Sequence, residues 1–329
     1  MSLTSHSRLH GSLVRNIARI GQSFFSSSSS SSPGLHYEEL VFERAEQNES
    51  ESVSVVLHGL LGTGRNLRTF VNMLFNGLVS DETCSTKHRV LLMDLRHHGK
   101  SNQIYDPSGP DTIENAAQDV IHTVEKANPG IGVERIIGHS LGGKVSLEVA
   151  RQLDTPCQVW TLDSFPFSFD ESSKRNALGV LKVLETIAGI VQPLESRAEL
   201  YEILENHGFS KGLQQWLGSN LVGNDDEGYV WNFHVPGVFN MYESYGKTDY
   251  SDFLAKPPDQ CRLEIIRALE SKGWDEESIE KLHHLSSNSR GMTRVHELEN
   301  AGHWLHAENP SGLAELMLPH MKHSCDSYN

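Results

Sequence analysis

A serine flanked by glycines constrains the fold of this chain more than any other feature. Residues 138–142 read GHSLG, the pattern G-x-S-x-G, and they lie between a short apolar run and a stretch with helical periodicity. This context predicts a sharp turn from a strand into a helix, where side chains larger than glycine would collide. The turn would place the Ser140 hydroxyl above a sheet, at the positive end of the following helix. Ser140 is therefore a candidate nucleophile.

Short β-rich runs alternate with helical patterns along most of the chain. One helix is predicted over residues 113–124, with Asp111 as its cap, because the apolar positions follow the helical period. Six runs are strand candidates: 52–57, 88–95, 135–137, 158–162, 263–269 and 293–298. This alternation predicts an α/β fold with a mostly parallel central sheet and helices on both faces.

Residues from about 168 to 258 interrupt the alternation. They carry mainly helical patterns, and no convincing strand is found among them. An insertion of this size between two strands would cover the sheet edge above it, as a cap does. We therefore predict a single α/β domain over residues 35–329, with a helical cap inserted at about 168–258.

The first 34 residues differ from the rest in composition. They hold three arginines, 12 serines and no acidic residue, and Leu9, Leu13, Ile17 and Ile20 form the stripe of an amphipathic helix. These features are typical of a cleaved transit peptide. We therefore leave residues 1–34 out of the fold and expect an organellar protein, with a mitochondrial address favoured over a chloroplast one.

Charge and hydropathy exclude two classes of partner. The formal net charge of −15 argues against nucleic acid, because neutralising phosphates requires clustered lysine and arginine. No run approaches the roughly 20 apolar residues that span a bilayer, which excludes a transmembrane segment. The four cysteines lack the spacing of a metal site or a disulfide framework. The sequence gives no indication of the oligomeric state.

A serine nucleophile needs a base, and the end of the chain supplies one. His303 follows the last strand candidate and precedes the final helix, so it is predicted at the same sheet edge as Ser140. A carboxylate would orient its imidazole. Asp163 ends one strand, whereas Glu270 and Asp275 follow the next. Spacing alone does not choose between these acids.

Acyl chemistry at Ser140 also needs donors for a developing oxyanion. The backbone N–H of Leu141, directly after the nucleophile, is one candidate. Leu60 is the second, because it lies in a glycine-rich loop that follows the strand candidate 52–57. His97 and His98 occupy a turn at the same sheet edge. We expect these two histidines to shape the loop and assign them no chemistry.

Five segments carry a resemblance to a known family. In chain order they are HGLLG, DLRHHGKS, GHSLGGK, LDSFP and NAGHWLHAENP. They resemble the alpha/beta-hydrolase fold superfamily and, more narrowly, the alpha/beta-hydrolase domain-containing protein 11-like esterases and their small bacterial relatives. The resemblance runs from about Val53 to the C-terminal helix. It implies Ser140 as nucleophile, His303 as base, and Leu60 and Leu141 as oxyanion donors.

The same resemblance bears on the acid. In the bacterial relatives an aspartate in a VDIxP-like motif serves the histidine, and Asp163 in LDSFP matches it. Those relatives also carry a serine that supports the relay, and Ser271 in ALESKGW looks like its counterpart. The usual glycine-rich turn is replaced here by Arg-Ala-Leu-Glu-Ser. This departure keeps Asp275 as the alternative acid.

Together these residues predict a serine hydrolase that cleaves carboxylic esters or thioesters of a small molecule through an acyl-enzyme. Such chemistry uses no metal or organic cofactor. Superfamily members with an aspartate nucleophile, such as dehalogenases and epoxide hydrolases, are disfavoured because Ser140 occupies that position. Hydrolysis of a C–C or amide bond by the same triad stays open. So does a hormone-receptor-like protein of this superfamily, which binds its ligand with little turnover.

Overall fold

The computed structural model describes most of the chain after residue 33, and a short segment before it. The described residues are 15–19, 34–44, 50–81, 86–104, 109–153, 155 and 157–322. None of the helices in this part of the chain is long and apolar enough to cross a bilayer.

In the described part of the chain, eight of ten strands form one sheet in the order β1-β2-β4-β3-β5-β6-β9-β10, and the other two form a hairpin, β7-β8. The strands are β1 (Arg15–Arg19), β2 (Tyr37–Glu43), β3 (Ser50–Leu57), β4 (Thr86–Met93), β5 (Val133–His139), β6 (Cys157–Leu162), β7 (Leu221–Asn224), β8 (Gly228–Trp231), β9 (Cys261–Ala268) and β10 (Thr293–Leu298). Neighbouring strands from β4 to β10 in this order run parallel, and β1 and β2 are antiparallel additions at one edge.

Twelve helices connect these strands within the described residues. They are α1 (Arg68–Val79), α2 (Ser101–Ile104), α3 (Ile113–Ala127), α4 (Leu141–Gln152), α5 (Glu171–Gly189), α6 (Arg197–Asn206), α7 (Lys211–Gly218), α8 (Val235–Lys247), α9 (Ser251–Ala255), α10 (Glu276–Asn288), α11 (Leu305–Glu308) and α12 (Pro310–Lys322).

The sheet separates two apolar cores, as the alternation predicts. The core on one face contains buried side chains of α3, α4 and α10, and the core on the other face contains those of α1 and α12. Strand β3 contributes to both, since Val55 faces the first core and Val56 the second. Because parallel strands carry helices on both faces, all their carboxyl ends meet at one edge, where loops can gather functional side chains.

Helices α5–α9 and the β7-β8 hairpin follow β6 and precede β9 along the chain, within the region predicted to form the cap. The expectation that this region lacks strands is wrong, because β7 and β8 pair antiparallel across a tight turn. Each strand is only four residues long, too short for a periodic pattern to stand out. The turn depends on Gly228, whose φ of 80° favours glycine.

Two further sequence-based expectations are corrected at the start of the chain: that residues 1–34 lie wholly outside the fold, and that their apolar stripe forms a helix throughout. Residues 15–19 were expected in an amphipathic helix, but they pair as an edge strand with β2. Pairing gives hydrogen-bond partners to backbone N–H and C=O groups that would be unpaired at the edge of β2. These bonds outweigh the preference for a helix that the apolar spacing indicates. Leu9, Leu13 and Ile20 lie outside the described residues. Strand β2 itself was not predicted.

The cap of α3 is also corrected. The hydroxyl of Thr112, not Asp111, accepts the N–H of Asn115 at 3.2 Å and so caps the helix. The carboxylate of Asp111 bonds instead to the ring of His97 and to Asn240 on α8. Asp111 lies one residue before the capping position, and its carboxylate therefore joins α8 of the cap to the turn that follows β4.

Candidate active site

Ser140 occupies the turn between β5 and α4. Its backbone angles are φ 51° and ψ −113°, a region that non-glycine residues rarely adopt. The flanking glycines permit this turn because a Cβ on Gly138 would collide with the carbonyl oxygen of Gly142, and one on Gly142 would lie 2.5 Å from the carbonyl oxygen of Leu57. The predicted strand–turn–helix context of Ser140 is therefore present.

His303 and Asp163 meet at the same edge of the sheet. The Nδ1 atom of His303 lies 2.8 Å from Oδ2 of Asp163, across 140 residues of sequence. A carboxylate only accepts hydrogen bonds, so Nδ1 of His303 carries the proton and its Nε2 is left with a free lone pair. Both residues line one cavity together with Ser140.

Four donors fix the buried carboxylate of Asp163. In addition to His303, its oxygens accept the hydroxyl of Ser271 at 2.6 Å, the indole N–H of Trp274 at 2.9 Å and the backbone N–H of Ala268 at 3.1 Å. Ser271 therefore contacts the same carboxylate as the imidazole. Trp274 was not predicted, although it follows Ser271 closely in the segment quoted for the resemblance.

The other acids considered from the sequence do not reach this cluster. Asp275 caps α10, where its carboxylate accepts the N–H of Ser278 at 2.9 Å. Glu270 is exposed, and its backbone N–H donates to the carbonyl of Ala301. The structure brings Asp163, and neither of these residues, against His303.

Two residues that line the cavity with Ser140 carry the predicted oxyanion donors. Leu60 and Leu141 both line it, and in the described part of the chain neither backbone N–H donates to another group. The loop that carries Leu60 is held by His98, whose Nε2 accepts the N–H of Leu61 at 3.1 Å. Burial lowers the pKa of His98 to about 3, so the ring stays neutral and can accept this bond. His98 therefore holds the loop that carries Leu60.

The loop that carries His303 is held on both sides by side chains. The carboxylate of Glu308 accepts the N–H of Gly302 at 2.7 Å and that of Trp304 at 3.2 Å. On the other side, Nε2 of His139 donates to the carbonyl of His303 at 2.7 Å. These two positions lie within the quoted motifs, but sequence reasoning assigned them no task.

Burial keeps His139 neutral. Desolvation is the main cause that lowers its pKa well below the usual value, and the neighbouring His306 and His303 act in the same direction. The pKa of His306 is lowered to about 4 for the same two reasons, burial and His303. The rings of His139 and His303 are 4.8 Å apart between centroids. A positive charge forming on His303 would therefore meet uncharged neighbours.

The cavity lies between the sheet edge and the cap and has a volume of about 580 Å³. Apart from the candidate catalytic groups its walls are mostly apolar; they include Leu60, Phe165, Phe169, Leu213, Trp216 and Tyr245. Trp216 on α7 and Trp304 beside the base approach each other with ring centroids 6.0 Å apart. Trp231 and Phe233 stack on each other in the apolar core of the cap.

The fold and this cluster define an alpha/beta hydrolase. The model of the Alpha/beta hydrolase family matches residues 55–316, and the chain belongs to that family. This confirms the predicted fold class and the superfamily resemblance. The insertion between β6 and β9 lies inside the matched region.

Individual relatives support a hydrolase. The chain is 23% identical to Esterase YbfF of Escherichia coli (strain K12) over 82% of this chain and 93% of that protein. It is 26% identical to the sn-1-specific diacylglycerol lipase ABHD11 of Mus musculus over 80% of this chain and 78% of that protein. The solved structure of a marine microorganism esterase shares the fold, with a TM-score of 0.67 and 21% identity over 87% of this chain and 98% of that one.

Proposed function

We propose that this protein is a serine hydrolase that cleaves carboxylic esters or thioesters of small molecules through an acyl-enzyme on Ser140. The observation that carries the proposal is the contact between His303 Nδ1 and Asp163 Oδ2, in a cavity that Ser140 also lines. That contact leaves Nε2 of His303 as the base. Relatives named as an esterase and a lipase support the same class of reaction.

The proposed reaction has two displacements. His303 takes the proton of the Ser140 hydroxyl through Nε2 as the oxygen attacks the substrate carbonyl. The amides of Leu60 and Leu141 stabilise the oxyanion that forms. His303 then returns the proton to the leaving alcohol or thiol, and a water molecule, activated by the same nitrogen, releases the acid from Ser140.

Asp163 is the proposed carboxylate that orients His303, and Ser271 is a residue that supports Asp163. The carboxylate holds the imidazole in the tautomer needed for proton transfer and stabilises the imidazolium that forms. Ser271 and Trp274 donate to the two carboxylate oxygens and so fix their orientation. Asp275 is not proposed as the acid, because its carboxylate caps α10.

The apolar walls of the cavity favour an acyl group or alcohol that is itself apolar. An apolar site with few polar groups gains affinity mainly by removing substrate surface from water. We therefore expect esters with longer acyl chains to have lower KM values than acetates.

Turnover of p-nitrophenyl esters tests the proposal. The full-length protein is expected to hydrolyse p-nitrophenyl butyrate over many turnovers and to be labelled by a fluorophosphonate probe. Ser140→Ala should lose both activities, while its circular dichroism stays that of the wild type. A single burst would favour a ligand-binding protein with little turnover. Full activity in Ser140→Ala would contradict the proposed nucleophile.

We also propose that residues 1–34 direct the protein to an organelle, with a mitochondrion favoured. The support is the arginine- and serine-rich composition without acidic residues. The test is a fusion of residues 1–34 to a fluorescent protein. Replacing Arg8, Arg15 and Arg19 by glutamine is the matched control and should abolish import. A cytosolic signal from the unaltered fusion would contradict this address.

A further inference from the structure

Lys144 is a buried cation that the proposed triad does not use. It lies four residues after Ser140 on α4 and is 0% exposed. Burying an ammonium group is strongly unfavourable unless its donors find partners. Burial lowers the pKa of Lys144 to about 7, and nearby Asp249 opposes this change. A lysine buried at such a cost is expected to have a specific task.

All three N–H donors of this ammonium are used by backbone carbonyls. Lys144 Nζ donates to the carbonyls of Phe167 at 2.7 Å, Tyr245 at 2.6 Å and Thr248 at 2.8 Å. Phe167 belongs to the segment that enters the cap, and the other two belong to the segment that leaves it. One side chain on the helix of the nucleophile therefore ties both connections of the cap to the core.

The two connections, residues 165–169 and 245–250, form what we call the cap stem. They run side by side, and the N–H of Phe169 donates to the carbonyl of Gly246 at 2.7 Å. The two segments are the covalent connections of the cap from α5 to α8, so an anchor at this point helps to set the orientation of the cap on the core.

The cap stem also carries part of the cavity wall. The rings of Phe165, Phe169 and Tyr245 line the cavity. Lys144 Nζ is 4.2 Å from the ring centroid of Tyr245 and 5.9 Å from that of Phe169, distances at which a cation is attracted to an aromatic face. The ammonium therefore lies against two rings of the cavity wall, although Lys144 does not itself line the cavity.

We propose that Lys144 is a positioning residue that holds the cap stem, and with it the aromatic wall of the cavity, in place over Ser140. The inference rests on the proposed function, in which this wall contacts the acyl chain of the substrate. An acetyl group is too short to use such a wall, whereas an octanoyl chain extends along it. Lys144 therefore sets the preference for long acyl chains, without touching substrate.

The test compares Lys144→Met with Lys247→Met. Lys247 lies in the same cap stem, but its side chain is 76% exposed and pairs with Glu243 on the surface. For Lys144→Met, the ratio of kcat/KM for p-nitrophenyl octanoate to that for the acetate should fall on the order of tenfold, mainly through KM. Lys247→Met should keep the wild-type ratio. An unchanged ratio, or an equal loss for both esters, would overturn the proposal.

A second variant covers the case in which Lys144→Met does not fold. The carboxylate of Asp249 accepts the N–H of Ser168 across the cap stem at 3.1 Å, and its side chain is 35% exposed. Asp249→Ala should therefore loosen the stem from outside and lower the octanoate-to-acetate ratio in the same direction. An unchanged ratio in this folded variant would count against the proposal.

Hydrogen exchange separates this proposal from the proposed function. The amides of Phe169 and Tyr250 should exchange faster in Lys144→Met, or in Asp249→Ala where that variant is used, while amides of β5 stay protected. This measurement needs no turnover. Faster exchange in a protein without esterase activity would contradict the proposed function alone, whereas unchanged exchange in a folded Lys144→Met would overturn the role of Lys144.

Discussion

Two residues of the candidate site have strained backbones. Ser140 and Asp163 have φ angles of 51° and 43° at the ends of neighbouring strands. Non-glycine residues hold such angles only where the surrounding structure enforces them. Here each strained turn displays a side chain toward the cavity instead of along the strand. The two turns thus bring the proposed nucleophile and the proposed acid to one cavity, which His303 also lines.

Replacing Asp163 by Asn tests the proposed acid. Asparagine keeps the shape of the side chain, but it removes the charge and permits the wrong tautomer of His303, so kcat for p-nitrophenyl butyrate should fall about 10³- to 10⁴-fold. Asp275→Asn is the control, because asparagine caps a helix as well as aspartate does. Near-wild-type activity in Asp163→Asn with loss in Asp275→Asn would reverse the assignment.

Glu308 tests whether the backbone around His303 needs to be held. Glu308→Ala removes the acceptor of two amides, Gly302 N–H and Trp304 N–H, and should lower kcat on the order of tenfold with little change in KM. Glu308→Gln keeps one acceptor oxygen and should give an intermediate rate. Glu299→Ala, an exposed change in the same loop, should have no effect. Equal rates in all three variants would show that the loop holds its shape without Glu308.

Sequence patterns identified some residues of the site and left others undecided. Ser140 and His303 were predicted because each occurs in a local pattern beside a strand end. The choice between Asp163 and Asp275 depends on which loop folds back on the imidazole, and spacing contains no such information. Trp274 contacts Asp163 across 111 residues, so its task emerges only in three dimensions.

At the level of elements, the β7-β8 hairpin depends on a crowded glycine. Gly228 has a φ of 80°, and a Cβ there would lie 2.8 Å from Cβ of Pro193. Gly208, after α6, has a similar φ of 77° but open space around it. Gly208→Ala should lower the free energy of unfolding by about 1 kcal/mol through backbone strain, and Gly228→Ala should lower it further by collision.

Urea unfolding measures this difference, because both variants share the strain and differ only in crowding. Equal midpoints for Gly208→Ala and Gly228→Ala would mean that the turn relaxes freely.

The hairpin also shows why some elements are predicted from sequence and others are not. Strands with an apolar run beside a helical pattern or a recognisable motif, such as β5 and β9, were predicted from sequence, whereas β1, β2 and the short hairpin form because partners are present in the fold.

For the whole molecule, buried histidines predict sensitivity to acid. Burial lowers the pKa of His88 and His98 to about 3 and that of His306 to about 4, and it also lowers the pKa of His58 and His139. The unfolded chain binds these protons near its ordinary pKa of 6.5. Between pH 6.5 and about 4 the unfolded state therefore holds more protons, and stability falls as the pH falls.

Each such histidine contributes up to about 1.4 kcal/mol of lost stability per pH unit in this window. Urea midpoints at several pH values should show the loss. His88→Gln should reduce the dependence of the free energy of unfolding on pH by the contribution of one proton. His284→Gln, a change at an exposed residue, should leave this dependence unaltered. A midpoint that stays constant from pH 7 to about pH 5 would contradict the buried neutral state of these rings.

The contact between His303 and Asp163 closes a loop of 140 residues that contains the whole cap. Closing so long a loop costs conformational entropy before any contact rewards it, so contacts of this kind tend to form late in folding. The helices of the cap and the strands around β5 can form earlier from local contacts. During refolding, secondary structure should therefore return before the ability to react with a fluorophosphonate probe. The rate at which this reactivity returns then measures the last step of folding.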